Sequence, residues 1–303
     1  MRFLLSIVLL LSFNPARADV VEDVAALFTM NRSDLAAIKI AADRIIDPSI
    51  DAAAQLARID AMEQQVRAML PEGSYAWTKV EVLRKYIYQP GPWNGHRAFA
   101  YDHDDPLGSD VRNKLLSDYL DDRRGNCITM PFLFLILGQR LGLEMAPALA
   151  PLHVLVKFTD DEGVAHNLEA TSGAGRARDQ HYRDLLPITD TALKNGLYLT
   201  PLSREQSVAV IAAVVLDDLI ARGEYRAALE VADVLTGHHP KFVYAIVKKG
   251  TAAYHLLQAD YFWNYPLLAD VPEEARPELQ RLQEENRRAF ALAEQLGWQA
   301  LNR

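Results

Sequence analysis

The sequence predicts an α+β protein in which a small mixed core lies between two helical regions. Apolar residues recur at three- and four-residue spacing before residue 88 and again after residue 201, as in helices that bury one face. Between them, residues 146–158 and 164–170 are predicted to be β-strands, whose successive side chains alternate between two faces. A hairpin turn signal at residues 160–163 separates them. A composition of 50% hydrophobic and 24% charged residues is that of a globular protein.

The N-terminal helical region covers residues 19–88. Three helices with an apolar stripe are predicted in it, over residues 35–45, 53–70 and 77–88. A proline, which cannot continue a helix, follows each of them: Pro48, Pro71 and Pro90.

The core covers residues 89–200 and begins with a loop up to residue 110. A short helix is predicted over residues 111–120. The next stretch, residues 128–141, is apolar nearly all round, which predicts a buried central helix packed on the small antiparallel sheet. His96 and His103 lie near acidic loop residues, but their spacing fits no helix-based ligand pair. We predict no metal site and, since phosphate-binding and zinc motifs are absent from the sequence, no cofactor.

The tail, residues 201–303, is predicted to be all-helical and tetratricopeptide-like. Gly223, Tyr225, Ala228 and Pro240 have the spacing of one tetratricopeptide repeat, a helix pair of about 34 residues. Residues 243–258 are the candidate first helix of a second repeat. Stacked repeats present concave surfaces, so a peptide is a candidate partner of the tail. Alternatively, the tail simply packs against the core, because a groove usually needs at least about three repeats.

The first 18 residues have the pattern of a secretory signal peptide. Arg2 precedes an apolar run over residues 3–13, and Ala16 and Ala18 are the small residues before a cleavage position after Ala18. The run is shorter than the about 20 residues that span a bilayer. We expect a periplasmic or secreted protein with no membrane span after cleavage; a buried N-terminal helix or an uncleaved anchor is the alternative.

The chain has a net charge of −8 and one cysteine, Cys127. The acidic balance argues against a nucleic-acid partner, because binding to phosphates needs a basic face. A lone cysteine cannot form an intramolecular disulfide. A free thiol in an oxidising compartment is expected to be either buried or used.

Cys127 lies where a loop becomes the predicted central helix. Unpaired N–H groups at a helix start favour a thiolate and can bind a developing oxyanion. His153 and Glu169 lie on the two predicted strands at similar distances from the turn, so we expect them to be cross-strand neighbours. Together the residues have the types of a nucleophile, a base and an orienting carboxylate. Alternatively, Cys127 is a small buried hydrophobe and His153 a structural histidine.

The residues around Cys127 resemble the transglutaminase-like fold of the papain-like cysteine enzymes. The resemblance is carried by Gly125-x-Cys127 at the head of an apolar helix, Pro151-x-His153 on a strand, and Asn-Leu-Glu169-Ala-Thr171. Over about residues 30–260 the chain is more closely similar to bacterial transglutaminase-like proteins that carry a tetratricopeptide tail. The further matching residues are Tyr101, Asp102, Asp105, Pro106, Asn113, Leu116, Leu120, Arg123 and Asn126.

The resemblance implies that Cys127 is the nucleophile, His153 the general base and acid, and Glu169 the orienting carboxylate. The N–H of Cys127 would then form part of an oxyanion hole, with Asn126 and Trp93 as candidates for site-adjacent residues or a second donor. The chain departs from the family pattern at Ala170, where proline is common, and at Glu169, where aspartate is usual. Many members of the bacterial subfamily carry proline in place of the cysteine, so membership alone does not imply catalysis.

Two functions follow from the sequence. The first is an exported cysteine enzyme that cleaves or transfers an amide or peptide bond of a protein or peptide substrate: a protease, an amidase or a cross-linking acyltransferase. The second is a non-catalytic binding or scaffold module in the cell envelope. A separation far beyond about 4 Å between the Cys127 sulfur and a His153 ring nitrogen would favour the second.

Overall fold

The structure is a computed structural model that describes residues 15–31, 34–106 and 108–301. The basic residue and apolar run of the predicted signal peptide lie outside these ranges. The described chain is mostly helical and contains a four-stranded antiparallel sheet and a two-stranded parallel pair, as an α+β class requires. None of the helices in the described ranges is long and apolar enough to cross a membrane.

Four helices precede the core. They are α1 (Pro15–Leu27), α2 (Leu35–Ile46), α3 (Ala52–Met69) and α4 (Ala76–Tyr88). The last three match the predicted helices to within one residue at each end. The carboxylate of Asp34 accepts the first free N–H groups of α2, and that of Asp51 does the same for α3, so both helices begin at an acidic cap.

Short elements lead from these helices to Cys127. They are β1 (Ala100–Tyr101), a 3₁₀ turn (Val111–Lys114), α5 (Leu116–Asp122) and β2 (Arg124–Gly125). β1 and β2 pair in parallel, although the sequence predicts only a loop up to residue 110. The helix predicted over residues 111–120 is divided in two, because the backbone at Leu115 is extended.

The central helix α6 (Thr129–Arg140) is as buried as predicted. Every residue from its start through Gly138 is buried, and the helix packs on α3, α4 and the sheet. Gly142 has a φ of +76°, a left-handed conformation that lets the chain leave the helix and enter the sheet.

The sheet consists of β3 (Glu144–Ala150), β4 (His153–Thr159), β5 (Ala165–Glu169) and β6 (Gly175–Ala177), in that order. The prediction of one strand over residues 146–158 is wrong, because Pro151 and Leu152 form a two-residue turn between β3 and β4. Proline fixes the first turn position, and Leu152 adopts a left-handed φ of +55°. Neither residue is the glycine or asparagine that usually signals such a turn.

The remaining helices are α7 (Asp179–Leu185), α8 (Asp190–Lys194), α9 (Arg204–Ala221), α10 (Tyr225–His238), α11 (Val243–Leu257) and α12 (Arg276–Leu296). Helices α9 to α12 pack on one another in sequence, while α9 also contacts α2 and α10 contacts α1. A single cluster of buried residues therefore extends through the N-terminal region, the core and the tail.

Candidate active site

Cys127 lies in the turn between β2 and α6 and is partly exposed. The preceding residue, Asn126, caps the helix: its side-chain oxygen accepts the N–H of Ile128 at 2.9 Å and that of Thr129 at 3.3 Å. The Thr129 hydroxyl in turn accepts the N–H of Asn126 at 3.1 Å. These bonds fix the backbone on both sides of Cys127. The N–H of Cys127 itself finds no acceptor within the described ranges.

The Cys127 thiol contacts the turn that precedes His153. Its sulfur donates to the carbonyl oxygen of Leu152 over 3.5 Å. His153 is the first residue of β4, so the tight turn at Pro151 and Leu152 brings its ring to the start of α6. A left-handed leucine is unusual and costs about 1–2 kcal/mol. The strained position therefore lies between the two side chains that the sequence proposes as nucleophile and base.

His153 lies between its two predicted partners. Its Nε2 atom lies 2.8 Å from Oε2 of Glu169, and the Cys127 side chain is near enough to the ring to raise its pKa. Because Nε2 faces the carboxylate, Nδ1 is the ring nitrogen left for the sulfur. Glu169 is the last residue of β5, and the register that sets Leu168 opposite Val156 makes His153 its diagonal neighbour rather than its direct partner. The glutamate side chain is long enough to reach His153 across this diagonal.

Two further residues hold the Glu169 carboxylate. The hydroxyl of Tyr182 donates to Oε2 at 2.9 Å, and the N–H of Thr171 donates to Oε1 at 3.1 Å. The Thr171 hydroxyl donates to the same Oε1 atom at 2.5 Å. The sequence motif contains Thr171, but no sequence signal indicates Tyr182, which reaches the site from α7.

His153 and Glu169 each shift the pKa of the other so that both are charged. Burial lowers the pKa of His153, but hydrogen bonds and charges from Cys127 and Glu169 outweigh it and raise that pKa to about 9. Burial raises the pKa of Glu169, but His153, Thr171 and Tyr182 outweigh it and hold that pKa below its usual value. At neutral pH the site therefore contains an imidazolium between the Glu169 carboxylate and the Cys127 sulfur.

The other two predicted site residues, Trp93 and Asn126, each form hydrogen bonds to the backbone near them. Trp93 lies away from this cluster: its indole N–H donates to the carbonyl of Gln89 at 3.2 Å, and its ring packs on Lys85 and Gly91. It is not available as an oxyanion donor. Asn126 is adjacent to the site as expected but acts as the helix cap. Its side-chain NH₂ is buried beneath Gly108 with no partner among the described residues.

The loop before α5, which contains His96 and His103, is held by ring contacts and by hydrogen bonds to its acidic side chains. The ring of His103 lies against that of Tyr101, with centroids 5.2 Å apart. The carboxylate of Asp105 accepts N–H groups from Ser109 and Asp110 and the side-chain amide of Asn113, which orders the loop instead. In the described part of the chain, no three His, Cys, Asp or Glu side chains converge as metal ligands.

Cys127 and His153 line a cleft of about 550 Å³. The core supplies one wall, and α9, α11 and the segment 298–301 supply the other. The far wall is largely apolar. Polar residues that the sequence analysis did not identify also line the cleft: Asp217, Tyr244 and Lys248 on the far wall and Lys114 on the core wall. No motif links these residues, which the fold brings together from three elements.

A partly exposed cysteine at the start of a buried helix, with histidine and carboxylate on adjacent strands, is the arrangement expected of a cysteine-enzyme fold. A family model described as the transglutaminase-like superfamily matches residues 53–210, which is more than half of the chain. The chain therefore belongs to the transglutaminase-like superfamily. The matched range includes Cys127, His153 and Glu169. No curated protein matches this chain.

Proposed function

We propose that this protein is an exported cysteine enzyme that cleaves or transfers an amide bond of a peptide or protein substrate. The observation that carries the proposal is that His153 bonds to Glu169, has its pKa raised by Cys127, and lines the same cleft as Cys127. A carboxylate, an imidazole and a thiol in that order are the components of nucleophilic acyl transfer.

In the proposed reaction, Cys127 reacts as a thiolate paired with the imidazolium of His153, and its sulfur attacks the carbonyl carbon of the amide. The carbonyl oxygen becomes negative, and the free N–H of Cys127 stabilises it. The C–N bond then breaks as His153 returns its proton to the leaving amine, which leaves a thioester on Cys127. Water or a second amine attacks the thioester and gives up a proton to His153. The products are a carboxylic acid or a new amide, and the thiolate of Cys127 and the imidazolium of His153 are regenerated.

Glu169 has a supporting role in this scheme. Its Oε2 atom holds the Nε2–H of His153, so Nδ1 points to the sulfur. Tyr182 and Thr171 hold the carboxylate in turn. An orienting group of this kind stabilises the imidazolium and fixes the ring's tautomer.

Thiol labelling tests the proposal directly, because Cys127 is the sole cysteine of the chain. We expect iodoacetamide to alkylate Cys127 in the native protein at pH 7, and His153→Ala to slow that alkylation at least about tenfold. His166→Ala is the matched control, since His166 forms a similar bond to Asp160 at 2.7 Å on the same sheet but outside the cleft. A Cys127 that stays unreactive in the native protein contradicts the proposal. Cys127→Ala should also abolish release or transfer of amines from a peptide pool.

We also propose that the protein is exported to the periplasm or the exterior after cleavage behind Ala18. The basic residue, the apolar run and the small residues of the leader support this. Amino-terminal sequencing of the mature protein from fractionated cells tests it, and a mature chain that begins at Asp19 is the expected result. A mature chain that still begins at Met1 contradicts it.

The tail is proposed to be a tetratricopeptide-type helical unit. Gly223 makes the turn between α9 and α10 with a φ of +77°. Gly250 of α11 lies so close to Phe290 of α12 that a Cβ atom would come within 2.9 Å of its ring. Close helix packing at small residues is a feature of such repeats. If the tail binds a peptide instead of serving the cleft, the wild type will bind that peptide and leave it chemically unchanged, which supports the scaffold alternative.

A further inference from the structure

A charged cluster lies in the same cleft as Cys127. The carboxylate of Asp217 on α9 is 2.7 Å from the ammonium of Lys114 and 2.7 Å from that of Lys248 on α11. The hydroxyl of Tyr244 donates to the same carboxylate, at 2.6 Å from one oxygen and 2.8 Å from the other. Both oxygens of Asp217 are therefore occupied.

The cluster carries a net positive charge. Burial raises the pKa of Asp217, but the two lysines outweigh it and lower that pKa, so the carboxylate is ionised. Two ammonium groups against one carboxylate leave an excess of one positive charge. Among the described residues Asp217 is the one acceptor that either ammonium reaches, so each has N–H donors to spare. The exposed fractions of the Lys114 and Lys248 side chains are 14% and 29%, so both groups are partly desolvated but reachable.

The cluster is within electrostatic range of the candidate nucleophile. Lys114, Asp217, Tyr244 and Lys248 line the cavity that Cys127 and His153 also line. Burial raises the pKa of Tyr244, and the charge of Cys127 raises it further, in addition to that of Asp217. An excess positive charge here stands out in a chain whose net charge is −8.

We propose that the cleft selects substrates that carry a carboxylate near the amide that Cys127 attacks, with Lys248 and Lys114 as its ligands. This inference rests on the proposed function. A carboxylate next to the two ammonium groups would use their free donors and neutralise the excess charge. The carboxylate belongs either to an acidic side chain or to the carboxyl terminus of a peptide, and the chemistry of the site is the same for both.

The test compares iodoacetate with iodoacetamide, which deliver the same alkyl group to Cys127 with and without a negative charge. The ratio of the two rates measures attraction of an anion to the cleft. The charge of His153 contributes equally to this ratio in every variant, so it cancels when variants are compared. We expect Lys248→Gln to lower this ratio at least about threefold at low salt, and Asp217→Asn to raise it by a similar factor. Lys248→Arg, which keeps the charge, should leave it near the wild-type value.

Lys249→Gln is the matched control, because Lys249 is on the same helix but pairs with Asp233 and Glu285. It removes the same charge outside the cleft. If Lys248→Gln lowers the ratio no more than Lys249→Gln does, the inference is wrong. Urea unfolding of each variant establishes that it is folded before its rates are compared.

A second measurement separates the two sources of the carboxylate and does not depend on the reactivity of Cys127. Calorimetric titration of Cys127→Ala with acetyl-Ala-Glu-amide, acetyl-Ala-Gln with a free carboxyl terminus, and acetyl-Ala-Gln-amide compares a side-chain carboxylate, a terminal carboxylate and no carboxylate. Tighter binding of either acid than of the neutral peptide, lost in Lys248→Gln, supports the inference. Equal binding of all three overturns it. Failure of iodoacetamide to label Cys127 counts against the proposed enzyme instead.

Discussion

The Nε2 atom of His153 lies 2.8 Å from Oε2 of Glu169, although the two residues are diagonal rather than direct neighbours in the sheet. An aspartate at position 169 has a side chain one methylene shorter. The extra length of glutamate is what allows the contact in this register. The glutamate at position 169, where the resemblance implies aspartate, thus has a structural reason in this chain.

Replacing the carboxylate tests its effect on the histidine. We expect Glu169→Gln to lower the pKa of His153 from about 9 towards 6.5, because the imidazolium loses a charged acceptor. A proton NMR titration of the His153 ring measures this. Glu162→Gln, an exposed residue of the β4–β5 turn, is the control and should leave the midpoint unchanged. An unshifted midpoint in Glu169→Gln would show that the carboxylate does not determine the charge of the ring.

The same raised pKa predicts how stability depends on pH. The folded protein binds the His153 proton more tightly than the unfolded chain does, so the stabilisation is complete below about pH 6.5. It is lost as the pH rises through about 9. Urea unfolding at pH 6.5, 8 and 9.5 should show the wild type losing on the order of 2 kcal/mol more than His153→Gln over this window. Parallel losses in the two proteins would contradict the prediction.

Two buried tyrosines allow a matched comparison. Tyr182→Phe removes a donor from the Glu169 carboxylate, which should cost about 1–3 kcal/mol and slow alkylation of Cys127 several-fold. Tyr119→Phe removes a buried hydroxyl that has no partner among the described residues, and it should be neutral or stabilising. Chemical denaturation and iodoacetamide labelling of both variants provide the test. Equal destabilisation by the two substitutions is the outcome that the structure does not allow.

Gly125 and Gly237 should respond to alanine in opposite directions. A Cβ atom at Gly125 would come within 2.5 Å of the Thr129 hydroxyl and 2.6 Å of the Tyr119 ring, two residues before Cys127. We expect Gly125→Ala to destabilise the protein by about 1–3 kcal/mol and to reduce labelling of Cys127. Gly237 lies in α10 with open space around it, so Gly237→Ala should stabilise the protein by about 0.5–1 kcal/mol. Thermal unfolding of the two variants measures the direction of each change in stability.

A buried ion pair connects α2 to the segment before Cys127. The ammonium of Lys39 contacts the carboxylate of Asp43, and both side chains are fully buried. Lys39 also donates to the carbonyl of Lys114 at 2.8 Å, and Asp43 accepts the N–H of Leu116 at 2.7 Å. Lys39→Met leaves an unpaired buried carboxylate and should cost about 3–5 kcal/mol. The double variant Lys39→Met/Asp43→Leu should recover part of that loss in urea unfolding; no recovery would contradict the argument.

The local patterns in the sequence predict the helices and the place of Cys127 well. Helices α2 to α4 depend on apolar spacing and on proline, and α6 on a continuous apolar run, all of which are local properties. The turn at Leu152 is not predictable in this way, because a left-handed leucine follows no propensity. Its presence divides one predicted strand into β3 and β4.

The parts of the site that come from distant elements were not predictable. Tyr182 contacts Glu169 from a short helix, and Asp217 joins Lys114 and Lys248 through packing of the tail on the core. Trp93 lies in a loop whose course depends on its packing against Lys85 and Gly91. Such contacts depend on tertiary structure, and a single sequence does not record which distant residues meet.

The far wall of the cleft is built from α9, α11 and the segment 298–301, whereas the thiol belongs to the core. A ribosome makes the core long before it makes Trp298. During synthesis the nascent chain therefore contains Cys127 and His153 before the surface that encloses them exists. The cleft, and any selectivity that it confers, is complete only when the last helices have docked. Premature termination within the tail would yield a protein that has the thiol but lacks part of the far wall of the cleft.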